Sequence, residues 1–233
     1  MKISSKTLTA SLGAVALAFA ASGVQAESVS VGASSQPYGH ESVNVTGYNG
    51  SAGQFKFGIT SADGPTYSVP GTILSFCVEL TEFVQSSATY KVLKEGDVGG
   101  FSAAVYSNLT NLFNKYWNAV TSTATSAAMQ LAVWEIVYDG SNLDLSDGSF
   151  KVTSAGGGAK GIAQGWLNNL NNPNVADTGN FSVIKLSAKG AQDQVTVGVN
   201  TVPLPGAALL FLSALGLGGL ARRKQAVQAP AAA

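Results

Sequence analysis

AAMQLAVWEIVYD, residues Ala127–Asp139, is apolar almost without interruption as far as Glu135. A run with no polar stripe reads as a helix buried on every side. Gln130 interrupts it, with apolar residues before and after. Burying an unpartnered amide costs about 1–3 kcal/mol. Gln130 therefore needs a partner elsewhere in the chain.

The flanks support the helix. Ser122–Thr125 is a polar break able to cap it, the apolar run covers about Ser126 to Tyr138, and Asp139-Gly140 ends it. Upstream, Phe101–Val120 repeats apolar residues at helical spacing, including Phe101, Leu109, Leu112 and Phe113. Downstream, Lys160–Leu170 is a third, shorter helix carrying Ile162, Trp166, Leu167 and Leu170.

Strands lie on both sides of this middle. Glu27–Gly32, Glu41–Thr46, Gln54–Thr60 and Tyr90–Leu93 read as strands, and Thr72–Phe83 as one long strand or two. Asn49-Gly50, Asp63-Gly64 and Pro70-Gly71 mark turns between them. Phe181–Leu186 and Gln194–Val199 alternate again after the helices. The expected class is α+β: β-sandwich or barrel-like strands with a central insertion of two to three helices, plus terminal signal and membrane-anchor helices.

The terminal segments have their own signals. Lys2 and Lys6 precede an apolar run, Leu8–Ala21, and Val24-Gln25-Ala26 is a small-residue cleavage pattern. Residues 1–26 read as a secretory signal peptide cut after Ala26. At the other end, segment 203–221 carries no charge and Arg222, Arg223 and Lys224 follow at once. With Val202 it approaches the ~20 residues of a membrane span. The basic cluster stops transfer and holds that end in the cytoplasm. Residues 27–200 remain as one domain without internal repeats.

With 13 basic and 13 acidic residues among 233, and only 11% charged, the chain lacks the basic bias of a nucleic-acid binder. The tail 201–233 resembles the PEP-CTERM sorting signal of Gram-negative bacteria. Val202-Pro203-Leu204-Pro205 stands for its proline motif, the apolar segment for its membrane helix, and Arg222–Lys224 for its basic cluster. Leu204 replaces the usual acidic residue, and Gln225–Ala233 extends beyond the basic cluster. The resemblance implies export, transient anchoring in the inner membrane, and processing by an exosortase-type membrane protease near Pro203–Pro205. Delivery would be to the cell surface or to the extracellular matrix of a biofilm.

Cys77 is the sole cysteine. Exported proteins usually pair their cysteines, so a lone thiol is buried and inert, paired between molecules, or chemically used. It sits in SFCVELTEF, where strand alternation puts it on one face with Ser75 and Glu79. A thiol and a side-chain amide condense to an internal thioester with loss of one ammonia, which would give Gln130 its partner. Phe76-Cys77-Val78 and Met129-Gln130-Leu131-Ala132-Val133-Trp134 are similar to two signature segments of bacterial thioester domains. That resemblance implies a Cys77–Gln130 thioester, with Trp134 packed beside it. It implies covalent adhesion by acylation of an amine or hydroxyl on a partner surface. The alternative is a non-covalent structural or polysaccharide-binding matrix protein. There Gln130 bonds to strand backbone, Cys77 is a core thiol and Trp134 is plain core.

Other chemistry has thinner support. His40, the sole histidine, lies in the polar loop YGHES, and no G-x-S-x-G elbow accompanies it. No Cys/His cluster suggests zinc, and no cofactor is expected. Glu79, Glu82 and Glu135 are candidates for an acid–base pair on sugars only by their presence. Asp139, Asn142, Asp144 and Asp147 share an oxygen-rich loop whose spacing is not that of an EF-hand, so it reads as a solvated turn. Gly156–Gly158 lacks the Lys-Ser/Thr of a phosphate loop. The expectation is a protein without enzymatic turnover.

Overall fold

The computed structural model describes residues 26–199. The signal segment before Ala26, the motif Val202–Pro205 and the basic cluster Arg222–Lys224 lie outside the described residues. Nine strands and three α-helices follow in the order strands, helices, strands. They are β1 (Ser28–Ser35), β2 (Glu41–Val45), β3 (Tyr48–Ala52), β4 (Phe55–Asp63), β5 (Gly71–Cys77) and β6 (Ala88–Leu93), then α1 (Ala103–Tyr116) and α2 (Thr123–Asp139). After these come β7 (Val152–Ala155), α3 (Ala159–Asn168), β8 (Phe181–Ala188) and β9 (Ala191–Val199).

Of the two strand architectures expected, the barrel is the one formed. Six antiparallel strands close in the order β1-β4-β5-β9-β8-β6, and β3-β2-β7 form a separate sheet. Closure pairs both edges of every barrel strand. Period-two alternation then sorts side chains into two cores. Val29, Val31, Phe57, Ile59, Ile73, Tyr90, Val92, Ile184 and Leu186 fill the barrel. Phe76, Val183 and Val195 belong instead to the core shared with the helices and the small sheet.

α2 is the centre of that second core. Ser122 and Thr125 cap its start reciprocally, and Gly140 closes its end at φ 61. Every residue from Ser126 to Ile136 is buried. The helix packs on α1, α3, β2, β3 and β5. That crowding on all sides explains why its sequence has no polar stripe.

Two strand expectations change. The stretch Thr72–Phe83 does not continue as strand, because β5 stops at Cys77. The chain then turns into a loop in which Phe83 is 74% exposed. The loop is tied back by Gln192 N–H donating to the Phe83 carbonyl at 3.2 Å. Asn49-Gly50 is not a turn but part of β3. The reversal falls earlier, at Thr46-Gly47 between β2 and β3, where Gly47 takes φ 73. A glycine meets that positive φ without a Cβ clash.

Candidate functional site

The site begins where one strand outruns its neighbour. β4 pairs with β5 from Ile59–Gly71 to Phe55–Ser75 and goes no further. On the other edge β9 accompanies β5 to Cys77, opposite Gln194. The N–H of Val78 reaches Asp193 on the β9 side. Successive residues alternate sides, so the N–H and C=O of Cys77 face the edge that β4 has left. Buried backbone groups without partners are costly.

Gln130 fills that gap. Its Oε1 accepts the N–H of Cys77 at 2.9 Å, and its Nε2 donates to the Cys77 carbonyl at 2.7 Å. A primary amide has the donor and acceptor of a peptide group, so a helix side chain completes the ladder. The structure thus brings the expected pair together, but through the main chain of Cys77. Both polar atoms of Gln130 bond to the Cys77 main chain, and the hydrogen-bond partners of the sulfur lie elsewhere.

Those neighbours are two glutamines of β9. Cys77 Sγ donates to Gln192 Oε1 at 2.7 Å. That is the length of an O–H···O bond, although sulfur is the larger atom, so the thiol is pressed against the amide carbonyl. It is also close to the spacing of sulfur and oxygen across the carbon of a thioester. The nitrogen end of the same amide is held, Nε2 donating to the Glu79 carbonyl at 2.7 Å. Gln194 Nε2 points at the sulfur from 3.6 Å, while its Oε1 accepts from Ser75 Oγ at 3.0 Å. Tyr90 donates its hydroxyl to the Gln192 main-chain carbonyl at 3.3 Å.

Gln192 and Gln194 were not among the sequence candidates. Their signal was AQDQVTV, two glutamines at period two opening a valine-rich strand. Alternation puts both on one face, and the Cys77–Gln194 register puts that face beside Cys77.

Burial pushes the Cys77 thiol up to about 12, with the Gln194 N–H opposing and the Glu79 carboxylate adding to the rise. The sulfur is therefore protonated at neutral pH, and a free thiolate is unfavourable here. A neutral acylated sulfur suits the same surroundings. Burial also pushes the Tyr90 phenol up to about 12, helped by Cys77 and Asp193.

A cleft of about 260 Å³ opens over the site, lined by Cys77, Glu79, Glu82, Gln130, Trp134 and Gln192 among others. Trp134 packs edge-on against Tyr48, with ring centres 5.7 Å apart, and lies 6.1 Å from Phe150. Its indole N–H is buried and has no hydrogen-bond partner. Glu79 and Glu82 reach the cleft, but Glu135 does not line it. Glu135 is 0% exposed, and neither of its carboxyl oxygens is partnered. Burial, then Asp139 and Asp144, push its carboxyl up to about 8.

The remaining candidates lie elsewhere. His40 is exposed and bonds through Nδ1 to Gln36 Oε1 at 2.8 Å. Asp139 accepts from the N–H groups of Ser149 and Phe150, both at 2.9 Å, and Asp144 accepts from Ser146 N–H. Asp147 lies 3.8 Å from Lys151, and Asn142 donates its N–H to the Asp139 carbonyl. These groups close their own loop. Among the described residues no helix is long and apolar enough to cross a membrane.

Fold and site together define a barrel domain with a helical layer, in which a buried cysteine is held against two glutamines. Among solved structures, the chain is similar to the N-terminal thioester domain of a surface protein from Clostridium perfringens. The identity is 15% and the TM-score 0.37, over 67% of this chain and 96% of that one. No protein-family model matches the sequence, and no curated protein is significantly similar to it.

Proposed function

We propose that this chain is an exported surface module that forms an internal thioester between Cys77 and Gln192 and uses it to bond covalently to a partner. The observation that carries the reading is the 2.7 Å approach of Cys77 Sγ to the Gln192 amide inside a buried site. The sulfur adds to Gln192 Cδ, the C–N bond breaks, and ammonia leaves with the sulfur's proton. No cofactor is needed. Burial slows hydrolysis of the product, since water reaches the acyl carbon only through the cleft.

A nucleophile on a partner surface then attacks Gln192 Cδ. The C–S bond breaks, the sulfur recovers a proton, and Gln192 keeps an amide or ester link to the partner. Gln130 supports the reaction by fixing the Cys77 main chain. Export by the signal peptide, anchoring through segment 203–221 and release by an exosortase-type protease near Pro203–Pro205 complete the proposal. They would deliver the module to the cell surface or extracellular matrix, where amines and polysaccharide hydroxyls are available.

Intact mass of the secreted protein tests the reading. The mature domain is expected to be one ammonia lighter than its sequence, and methylamine is expected to add at Gln192. A full-mass protein that takes up no methylamine would remove the thioester and leave the non-covalent matrix role. An adduct on Gln130 would overturn the choice of glutamine.

A further inference from the structure

We infer that Gln192 is also the clasp of the loop between β5 and β6, and that forming the thioester opens this clasp. The loop is a strap that loosens when the bond is charged and tightens when an amide replaces it. The inference rests on the Cys77–Gln192 thioester and adds a conformational change coupled to it.

Residues 78–87 join β5 to β6 without helix or strand. They supply Glu79, Glu82, Phe83 and Val84 to the lining of the cleft. Leu80 and Val84 pack against the core, while Glu82 and Phe83 are exposed. Hydrogen bonds from β9 hold the rest. Asp193 accepts the Val78 N–H at 3.0 Å and donates its own N–H to the Glu79 carboxylate at 3.0 Å. Gln192 donates its main-chain N–H to the Phe83 carbonyl at 3.2 Å and its side-chain N–H to the Glu79 carbonyl at 2.7 Å. The last is the shortest of these four, and its donor is the nitrogen that thioester formation expels. On the other side, the Leu80 N–H donates to the Tyr138 hydroxyl of α2 at 3.2 Å.

The change follows from counting hydrogens. When the sulfur bonds to Gln192 Cδ, both amide hydrogens leave in the ammonia together with the thiol hydrogen. The acyl carbon then carries only sulfur and oxygen beside Cγ. Neither bears a hydrogen, so the Glu79 carbonyl loses its donor and meets an acceptor instead. The other four bonds remain, so the loop loosens without leaving the domain. Attack by methylamine reverses the change. One amine hydrogen passes to the sulfur as the C–S bond breaks, and the nitrogen keeps the other, which again serves the Glu79 carbonyl. This wall of the cleft is therefore loosest while the acyl carbon is reactive.

Hydrogen exchange over residues 78–87, read by mass spectrometry on the secreted protein, tests the coupling. Three forms are compared. One is the charged protein. The second is Cys77→Ala, which keeps the Gln192 amide. The third is the methylamine adduct, which regains an N–H without any substitution. Exchange of the loop is expected to be about three- to tenfold faster in the charged protein than in the other two, the worth of one hydrogen bond. Exchange over α3 is expected to be the same in all three. Loop exchange in the charged protein that is equal to, or slower than, that of its methylamine adduct overturns the inference while leaving the thioester intact. Should Cys77→Ala fail to fold, the adduct comparison decides alone. An unaltered protein of full mass that takes up no methylamine overturns the thioester and this inference with it.

Discussion

Gln130, on a buried helix, takes over the place of a strand beside Cys77, bonding its N–H at 2.9 Å and its carbonyl at 2.7 Å. Because β4 pairs with β5 only as far as Ser75, both groups would otherwise be buried without partners. One side chain thereby locks α2 to the end of β5, at the residue whose sulfur faces the reactive amide.

Gln130→Leu removes both bonds at once. Each orphaned group costs about 1–3 kcal/mol, so the folded state is expected to lose about 2–6 kcal/mol. Chemical denaturation measures this as a lower midpoint. A loss below about 0.5 kcal/mol would mean that water replaces the amide.

Gln192→Ala is expected to restore full mass and abolish methylamine uptake. Gln194→Met, which removes the N–H aimed at sulfur but keeps the length of the side chain, is expected to retain the thioester. Its acyl transfer is expected to slow roughly tenfold, because the departing sulfur loses a charge-assisted donor. Mass and adduct kinetics separate the two roles. Equal behaviour of the two variants would contradict them.

In Gln192→Ala the thiol is free, and burial keeps it protonated. A thiol pushed from 9.0 to about 12 has on the order of a thousandfold less thiolate at pH 8 than an exposed one. Alkylation of the folded variant is expected to be slower by at least that factor and to rise about tenfold per pH unit. Labelling as fast as in the unfolded chain would show that the sulfur is accessible and ionised.

Glu135 gives the domain a pH-dependent stability. Its carboxyl is raised from 4.5 to about 8 on folding, so between those values the folded state binds the extra proton. Stability is therefore highest below the unfolded value, falls as pH rises through this window, and levels off above the folded value. The slope approaches 1.4 kcal/mol per pH unit for one proton, as an order-of-magnitude figure. Glu135→Gln is expected to flatten this component, read from urea midpoints near pH 5 and pH 8. An unchanged difference between those midpoints would rule out Glu135 as its source.

The sequence by itself determined the local parts. Ser122, Thr125 and Gly140 delimit α2, its apolar run dictates burial on every side, and alternation marks most of the barrel strands. It also required a partner for Gln130, and the partner is Cys77. Where β5 stops, and that Asn49-Gly50 lies in a strand, depended on pairing with distant chain. The same holds for the reactive glutamine. Period two places Gln192 and Gln194 on one face, but only barrel closure brings β9 beside β5, across 115 residues from Cys77 to Gln192. Only the start of β4 at Phe55, opposite Ser75, left the Cys77 main chain to Gln130 and the sulfur to β9. Strand order and strand ends are non-local properties, set by which edges pair, and short-range periodicity does not encode them.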